Sequence, residues 1–331
     1  LVPATDFDLG RQGYAYNDEQ VATFHITTGE FTAWNNGWQY RNDGVDIQFS
    51  NDGQSANGYN VGWISMDEWM DYTVEVQTAG LYDIAVRVAA DGSNGVFHLL
   101  VDGIQVTPSI NVQTTGGLEN WSNVVIEDVL LLEGEQKVRF FADQSGFNLG
   151  SFEFAFTGVT ADEVDMAFLT ARTLNPEQIA LTLNKPIAQP LIAQSTDFQI
   201  FDSGQPLAFS AFGMSLENDQ TIVFEMDDLL FATQDLTISY SGSSIEANEG
   251  GNLQNFAQEH VDNTLDFVYT IPGWIEVENF VEAQGVELEN TSDVGGGLNV
   301  GYLDPGDYML YDVNVLYLSL IHISEPTRPI D

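Results

Sequence analysis

Cysteine is absent from this chain and cations are scarce: eight Lys+Arg stand against fifty Asp+Glu in 331 residues, a formal charge of −42. Without thiols there is neither a disulfide framework nor a thiolate zinc site. A surface this negative repels nucleic acid and anionic membrane, which excludes both as partners. It suits a neutral ligand, or a saline medium that screens the charge. No run of eighteen apolar residues occurs, so no segment reads as a membrane-spanning helix. The four histidines, His25, His98, His260 and His322, are scattered without metal-ligand spacing. Neither a Gly-x-Ser-x-Gly elbow nor a phosphate-binding loop is present. Carboxylate pairs such as Asp67-Glu68 or Glu133/Glu135 carry no catalytic information, because fifty acids supply a pair in any neighbourhood. The sequence starts at Leu1 without Met or a leader, which reads as a mature or internal fragment.

What is present is a stretch that occurs twice. Residues 60–76 (NVGWISMDEWMDYTVEV) and 299–315 (NVGYLDPGDYMLYDVNV) agree at seven positions, where chance gives roughly one. Four further positions pair like with like: Trp63/Tyr302, Ile64/Leu303, Glu68/Asp307 and Trp69/Tyr308. The spacing is far longer than solenoid periods, so it signals duplicated domains. Tyr72, Val74 and Val76 alternate with polar residues as a half-buried strand does. Asn60 to Ile64 reads as a preceding short strand, with residues 65–68 as the turn. Trp63 and Tyr302 thus sit on a strand about to enter a loop, either as core aromatics or as exposed ones.

Elsewhere, short alternating runs such as 82–88 and 96–101 are divided by Asp-Gly, Asn-Gly and Gly-Gly signals. Asp102-Gly103 falls where a tight hairpin belongs. The pattern predicts an all-β chain, with a sandwich or jelly roll over about 1–158. Hydrophobic residues make up 44% of the chain, enough for two or three cored domains.

Gly58-Tyr59-Asn60-Val61-Gly62-Trp63, Glu68-Trp69, Ala79-Gly80-Leu81-Tyr82, Val101-Asp102-Gly103, Thr115-Gly116-Gly117 with Trp121, and Gly146-Phe147-Asn148-Leu149 follow one another in this order. Together they resemble family 6 carbohydrate-binding modules. The resemblance implies a β-jelly-roll that grips a polysaccharide or oligosaccharide, in a secreted bacterial protein, acting as a monomer and usually tethered to a glycoside hydrolase. A second copy opens near 274 with Ile275-Glu276-Val277-Glu278 and runs to about 316, short of the length such a sandwich needs. The strand-like runs 178–186, 221–224 and 236–242, followed by turn residues, and Gly250-Gly251-Asn252-Leu253 make residues 159–273 resemble a bacterial immunoglobulin-like spacer. The tail, 317–331, does not continue the pattern and resembles a translated sequencing-library adapter.

By position, the resemblance places a stacking ring at Trp63, a second at Leu118, and a hydroxyl-binding amide at Asn148. Leu118 is a departure, since it brings no ring; Trp121 downstream reads as core. The loop 31–40 holds Trp34 and Trp38, which either fold over the cleft in place of the missing face or pack on the sandwich edge. Tyr302 is the second copy's counterpart of Trp63. Glu289 matches a cleft-lining position, whose first-copy counterpart falls in the region of Tyr16 and Asn17. Calcium is a further implication. Glu276 and Glu278, at i and i+2, suit a hard cation. Aligned on Phe7, the first copy has Pro3 and Thr5 there, leaving Asp6, Asp8 or Glu153 to serve. Catalysis is not expected within these residues; the rival reading is a structural or adhesive β protein without a sugar site.

Overall fold

A computed structural model describes residues 1–19, 23–25, 30–32, 40–41, 43–232, 234–265, 269–271, 275, 277–278, 280, 282–290, 298–311 and 313–315. The described elements are strands joined by turns and three short 3₁₀ turns, as the alternating text predicts. No helix among them is long and apolar enough to cross a membrane.

Two compact units divide the chain. The first gathers Leu1–Leu169 with Asn184–Ala188 and Glu246–Gln254. It is a jelly roll of two antiparallel sheets. One sheet orders the strands Trp121–Leu131, Gly80–Ala90, Phe147–Thr160, Tyr59–Val61 and Ile47–Phe49, with Val2–Pro3 joining Phe147–Thr160. The other orders Ile104–Gln105, Gly95–Val101, Gly134–Gln144, Trp69–Val76 and Tyr16–Asn17, with Ile110–Val112 beside Gly95–Val101. Alternation turns one face of each strand inward: Ile84, Val86 and Val88 of one sheet and Phe97, Leu99 and Val101 of the other are buried. Aromatic rings close the gap between the sheets. Phe152 meets Tyr72 edge-on at 5.0 Å and Phe140 at 6.1 Å. Each such buried ring contributes about 1.5–3 kcal/mol.

Asp102 and Gly103 both have positive φ, +49° and +84°, and join Val101 to Ile104 in register. This is the two-residue hairpin expected of an Asp-Gly pair. In the same unit, Lys185 is fully buried, and its Nζ donates to the carbonyls of Ala161 (2.5 Å), Gly250 (3.1 Å) and Val164. Burial lowers its pKa, against the pull of Glu249, Asp165 and Asp162.

The second unit comprises Thr170–Leu183, Gln189–Ile245 and Asn255–Asp331. Within it, the sheet holding Phe209–Met214 and Thr221–Met226 faces the sheet holding Phe198–Asp202 and Leu236–Tyr240. Phe198 packs on Phe224 at 4.9 Å and on Phe212 at 5.3 Å, so the two layers share an aromatic core. The second repeat's strands Glu287–Asn290 and Leu298–Gly301 pair antiparallel, and Pro305-Gly306 forms the expected turn.

Candidate functional site

Strand alternation alone would put Trp63 on the same side as Val61, whose side chain is buried. The backbone breaks that period. Trp63 takes φ +51°, the left-handed region that bulky side chains avoid. The chain then turns so that Ile64 returns to the core, 4% exposed, while the indole stands 41% exposed. Tyr302 does the same, with φ +59° and 69% exposure. A strained aromatic projecting from matched positions of two repeats is a feature of the repeat itself, and such strain concentrates at functional positions.

Three further details recur. Ser65 N–H donates to Glu68 Oε2 (3.0 Å), and Asp304 N–H to Asp307 Oδ2 (2.6 Å), so the same carboxylate caps each turn. Tyr72 Oη donates to Ala4 O (2.8 Å), and Tyr311 Oη to Val277 O (2.6 Å). Asn60 and Asn299 each keep a buried Oδ1 without a hydrogen-bond partner. Glu68 Oε1 also accepts the Glu19 N–H (3.1 Å). Burial pushes the Glu68 carboxyl up to about 7, and the charges of Asp46 and Glu19 act in the same direction.

The wall of the site is an amide. Asn148, on Phe147–Thr160, is buried, and its Nδ2 donates to Leu118 O (2.8 Å). That bond turns Oδ1 toward Gly62, where an added Cβ would lie 3.1 Å from it and 3.3 Å from Gln48 Nε2. Opposite, the loop bearing Leu118 is pinned at its base. Thr115 Oγ1 accepts the Ala90 N–H (2.7 Å), while Thr115 N–H and Gly117 N–H both donate to Ala90 O. Positive φ at Gly116 and Gly117 shapes the turn, and Leu118 stands 45% exposed at its tip. The loops bearing Trp63 and Leu118 thus meet at the strand residue Asn148, which bonds Leu118 O and faces Gly62, with an aliphatic side chain at the position of the expected second ring.

Other candidates fall elsewhere. Trp121 is not core: it is half-buried on the outer face, where its indole N–H donates to Asn51 Oδ1 (3.1 Å) and its ring covers Gly150. Tyr16 is in the core, edge-on to Phe7 at 5.5 Å, its hydroxyl accepting the Gly44 N–H. Asn17 accepts from Gln12 Nε2 (3.0 Å) and donates to Asp67 O (3.0 Å), beside a recess lined by Asp18, Ile64, Glu68 and Trp69. It is also not the counterpart of Glu289. Glu289 pairs with Asn299 across its ladder, and Gln48 pairs with Asn60 across the equivalent one. The matched residue is therefore Gln48. Trp34, Trp38 and Glu276 lie outside the described residues.

No group of three acidic or imidazole side chains that could hold a metal occurs among the described residues. Asp8 is committed to Thr73, accepting its N–H and Oγ1–H at 2.8 Å each, and Asp6 accepts from Tyr40 Oη. Glu153 is exposed on the outer face. Glu278 sits in a turn rather than a strand. The shared Tyr72/Tyr311 bonds equate Ala4 with Val277, hence Thr5 with Glu278. Thr5 is fully buried, its hydroxyl accepting from Asn57 Nδ2 (2.8 Å), so the first repeat fills that position with a neutral group.

The sequence profile of the carbohydrate binding module (family 6) matches residues 38–155 and 276–316. Beta-agarase AgaA of Microbulbifer thermotolerans is 23% identical over 94 residues, 28% of this chain, which spans only 22% of that enzyme's length. Among solved structures, the C-terminal family 6 module of LamC, a marine laminarinase of Zobellia galactanivorans, is 27% identical, covering 34% of this chain and 87% of its own, with a TM-score of 0.31. The module of Cellvibrio mixtus lichenase 5A in complex with cellotriose is 27% identical, covering 34% and 88%, TM-score 0.31. A β-1,3-glucan-binding family 6 module from Bacillus halodurans is 26% identical, covering 34% and 86%, TM-score 0.30. Over residues 38–155 and 276–316, the chain is thus similar to the family 6 carbohydrate-binding modules.

Proposed function

We propose that the chain binds a β-linked plant or algal polysaccharide, such as a β-glucan, xylan or agar-type polymer, without cleaving it, and holds an attached glycoside hydrolase on that substrate. The observation that carries this reading is Trp63, turned outward by a positive φ beside an amide wall and mirrored by Tyr302. A pyranose presents a face of C–H bonds to a flat ring and a rim of hydroxyls to neutral amides. Tethering would raise the effective concentration of an attached hydrolase at an insoluble glycan, and two repeats would add avidity. In this reading the protein is a secreted bacterial monomer, and 159–273 is an immunoglobulin-like spacer. A structural or adhesive role without sugar binding draws on Leu118, an aliphatic tip where a second ring would stack.

Affinity electrophoresis of the chain in gels containing laminarin, xylan, cellulose derivatives, mannan or agarose distinguishes the two. Retardation in one of them, lost in Trp63→Ala/Tyr302→Ala, is the expected result; unchanged mobility in every gel favours the scaffold. Calcium belongs to the proposal only at Glu276 and Glu278 of the second repeat. Titrating the chain with calcium in a calorimeter tests it: heat that disappears in Glu278→Gln is expected, and no heat means no site.

A further inference from the structure

Where the second repeat has Glu276 and Glu278, the tyrosine clasps on Ala4 and Val277 set Pro3 and Thr5 in the first. Neither is an acid. What the first repeat brings there is Arg41, one of the eight cations of the chain. Its Nη1 donates to Thr5 O (3.3 Å) and to Phe7 O, and its Nη2 donates to Asp8 O (3.1 Å). Nε pairs with Asp43 Oδ2 at 2.9 Å, and the two side chains are only 12% and 13% exposed. The guanidinium carbon lies 3.6 Å from the centre of the Phe7 ring. Arg41 also belongs to a stretch that the second repeat lacks. Tyr16 and Asn17 pair with Met70 and Trp69 as Ala283 and Gln284 pair with Met309 and Tyr308. Gln48 pairs with Asn60 as Glu289 pairs with Asn299. Thirty residues therefore separate Asn17 from Gln48, and four separate Gln284 from Glu289. The repeat without the carboxylates is the one with an inserted cation, and that cation bonds the carbonyl of Thr5, the residue matched to Glu278.

We propose that Arg41 is a built-in cation standing in the place of calcium in the first repeat, so that this module holds its N-terminal segment without metal. The inference stands apart from the reading of Trp63 as a sugar platform. Calcium is gripped by carboxylates and backbone carbonyls. A guanidinium always carries its charge and offers five N–H donors in a fixed fork, so it can satisfy three carbonyls and a carboxylate at once. The residues of the first repeat do not fit a divalent ion as well. Pro3 and Thr5 are neutral, Asp8 is committed to Thr73 and Asp6 to Tyr40, and Asp43 is already paired. An ion brought to the Thr5 carbonyl would also meet the positive guanidinium. Without Arg41, Asp43 would be stranded, since its Oδ1 is already buried with no hydrogen-bond partner among the described residues. The two repeats thus solve one problem in two ways, the first with its own side chain and the second with carboxylates that call for an ion.

The test is hydrogen exchange of the full chain, read by mass spectrometry over peptides within 1–19, in calcium and in EDTA. In the parent the two conditions are expected to agree within about twofold. Arg41→Ala in EDTA is expected to speed exchange in this segment by about tenfold or more. Adding Thr5→Glu to that variant supplies the carboxylate of the second repeat, and calcium is then expected to slow the exchange by about tenfold. Arg41→Lys keeps the charge, gives up the fork and serves if the alanine variant does not fold; exchange is expected to rise by about threefold or more. Parent exchange that rises about tenfold in EDTA would mean that the module needs metal and would overturn the proposal. Exchange within about twofold of the parent in both Arg41 variants would overturn it too. Fast exchange in Arg41→Ala/Thr5→Glu that calcium leaves unchanged would reduce Arg41 to a tether and overturn its role as the cation.

Discussion

At the scale of the residue, one backbone angle decides the functional reading. Regular alternation buries Trp63 beside Val61; φ +51° turns it outward at a cost of about 1–3 kcal/mol. Period-two patterning finds strands, but it cannot reveal a single left-handed residue, which is why core and exposed readings stayed open in the sequence. Glu68 gives a second residue-level consequence. Its folded pKa is raised from 4.5 to about 7, so the stability it contributes is full below about pH 4.5 and is lost as pH rises through 7. Thermal unfolding of wild type and Glu68→Gln from pH 4.5 to 8 is expected to move in favour of glutamine by on the order of 3 kcal/mol. A pH-independent difference would mean that the carboxyl titrates normally. The resemblance singles out Asn148 from its place in Gly146-Phe147-Asn148-Leu149, whereas its bond to Leu118 O joins segments thirty residues apart and required the fold.

Elements were legible where their chemistry is local. Asp102-Gly103 reads directly as a hairpin because only such residues accept positive φ at both positions. Trp121 did not, because what lies beneath it is set by pairing between distant strands. Its ring covers Gly150, at a register shift in the ladder between Phe147–Thr160 and Gly80–Ala90. A Cβ there would lie 3.1 Å from both Trp121 Cζ3 and Arg87 Cγ. Gly150→Ala is therefore expected to destabilise the module by about 1–3 kcal/mol, read by denaturant unfolding. No loss would mean that the ring shifts freely aside. The equivalence of Gln48 and Glu289 was hidden for a related reason. The loop to Asn60 is two residues longer than the loop to Asn299, and the chain between Asn17 and Gln48 has no matching length upstream of Glu289.

Across the whole molecule, the repeat is the unit of meaning: turn cap, tyrosine clasp, buried asparagine and projecting ring recur together in 60–76 and 299–315, while polar neighbours differ. A charge of −42 leaves neutral polymer as a natural partner, since hydroxyls and C–H faces carry no charge for that field to repel. The most direct measurement is calorimetric binding of laminarin, xylan and agarose oligosaccharides to the chain and to its Trp63→Ala, Tyr302→Ala and double variants. The account predicts binding to at least one of them, a loss of more than 1 kcal/mol at Trp63→Ala with the thermal midpoint nearly unchanged, and no binding by the double variant. Undiminished affinity in the double variant would contradict it.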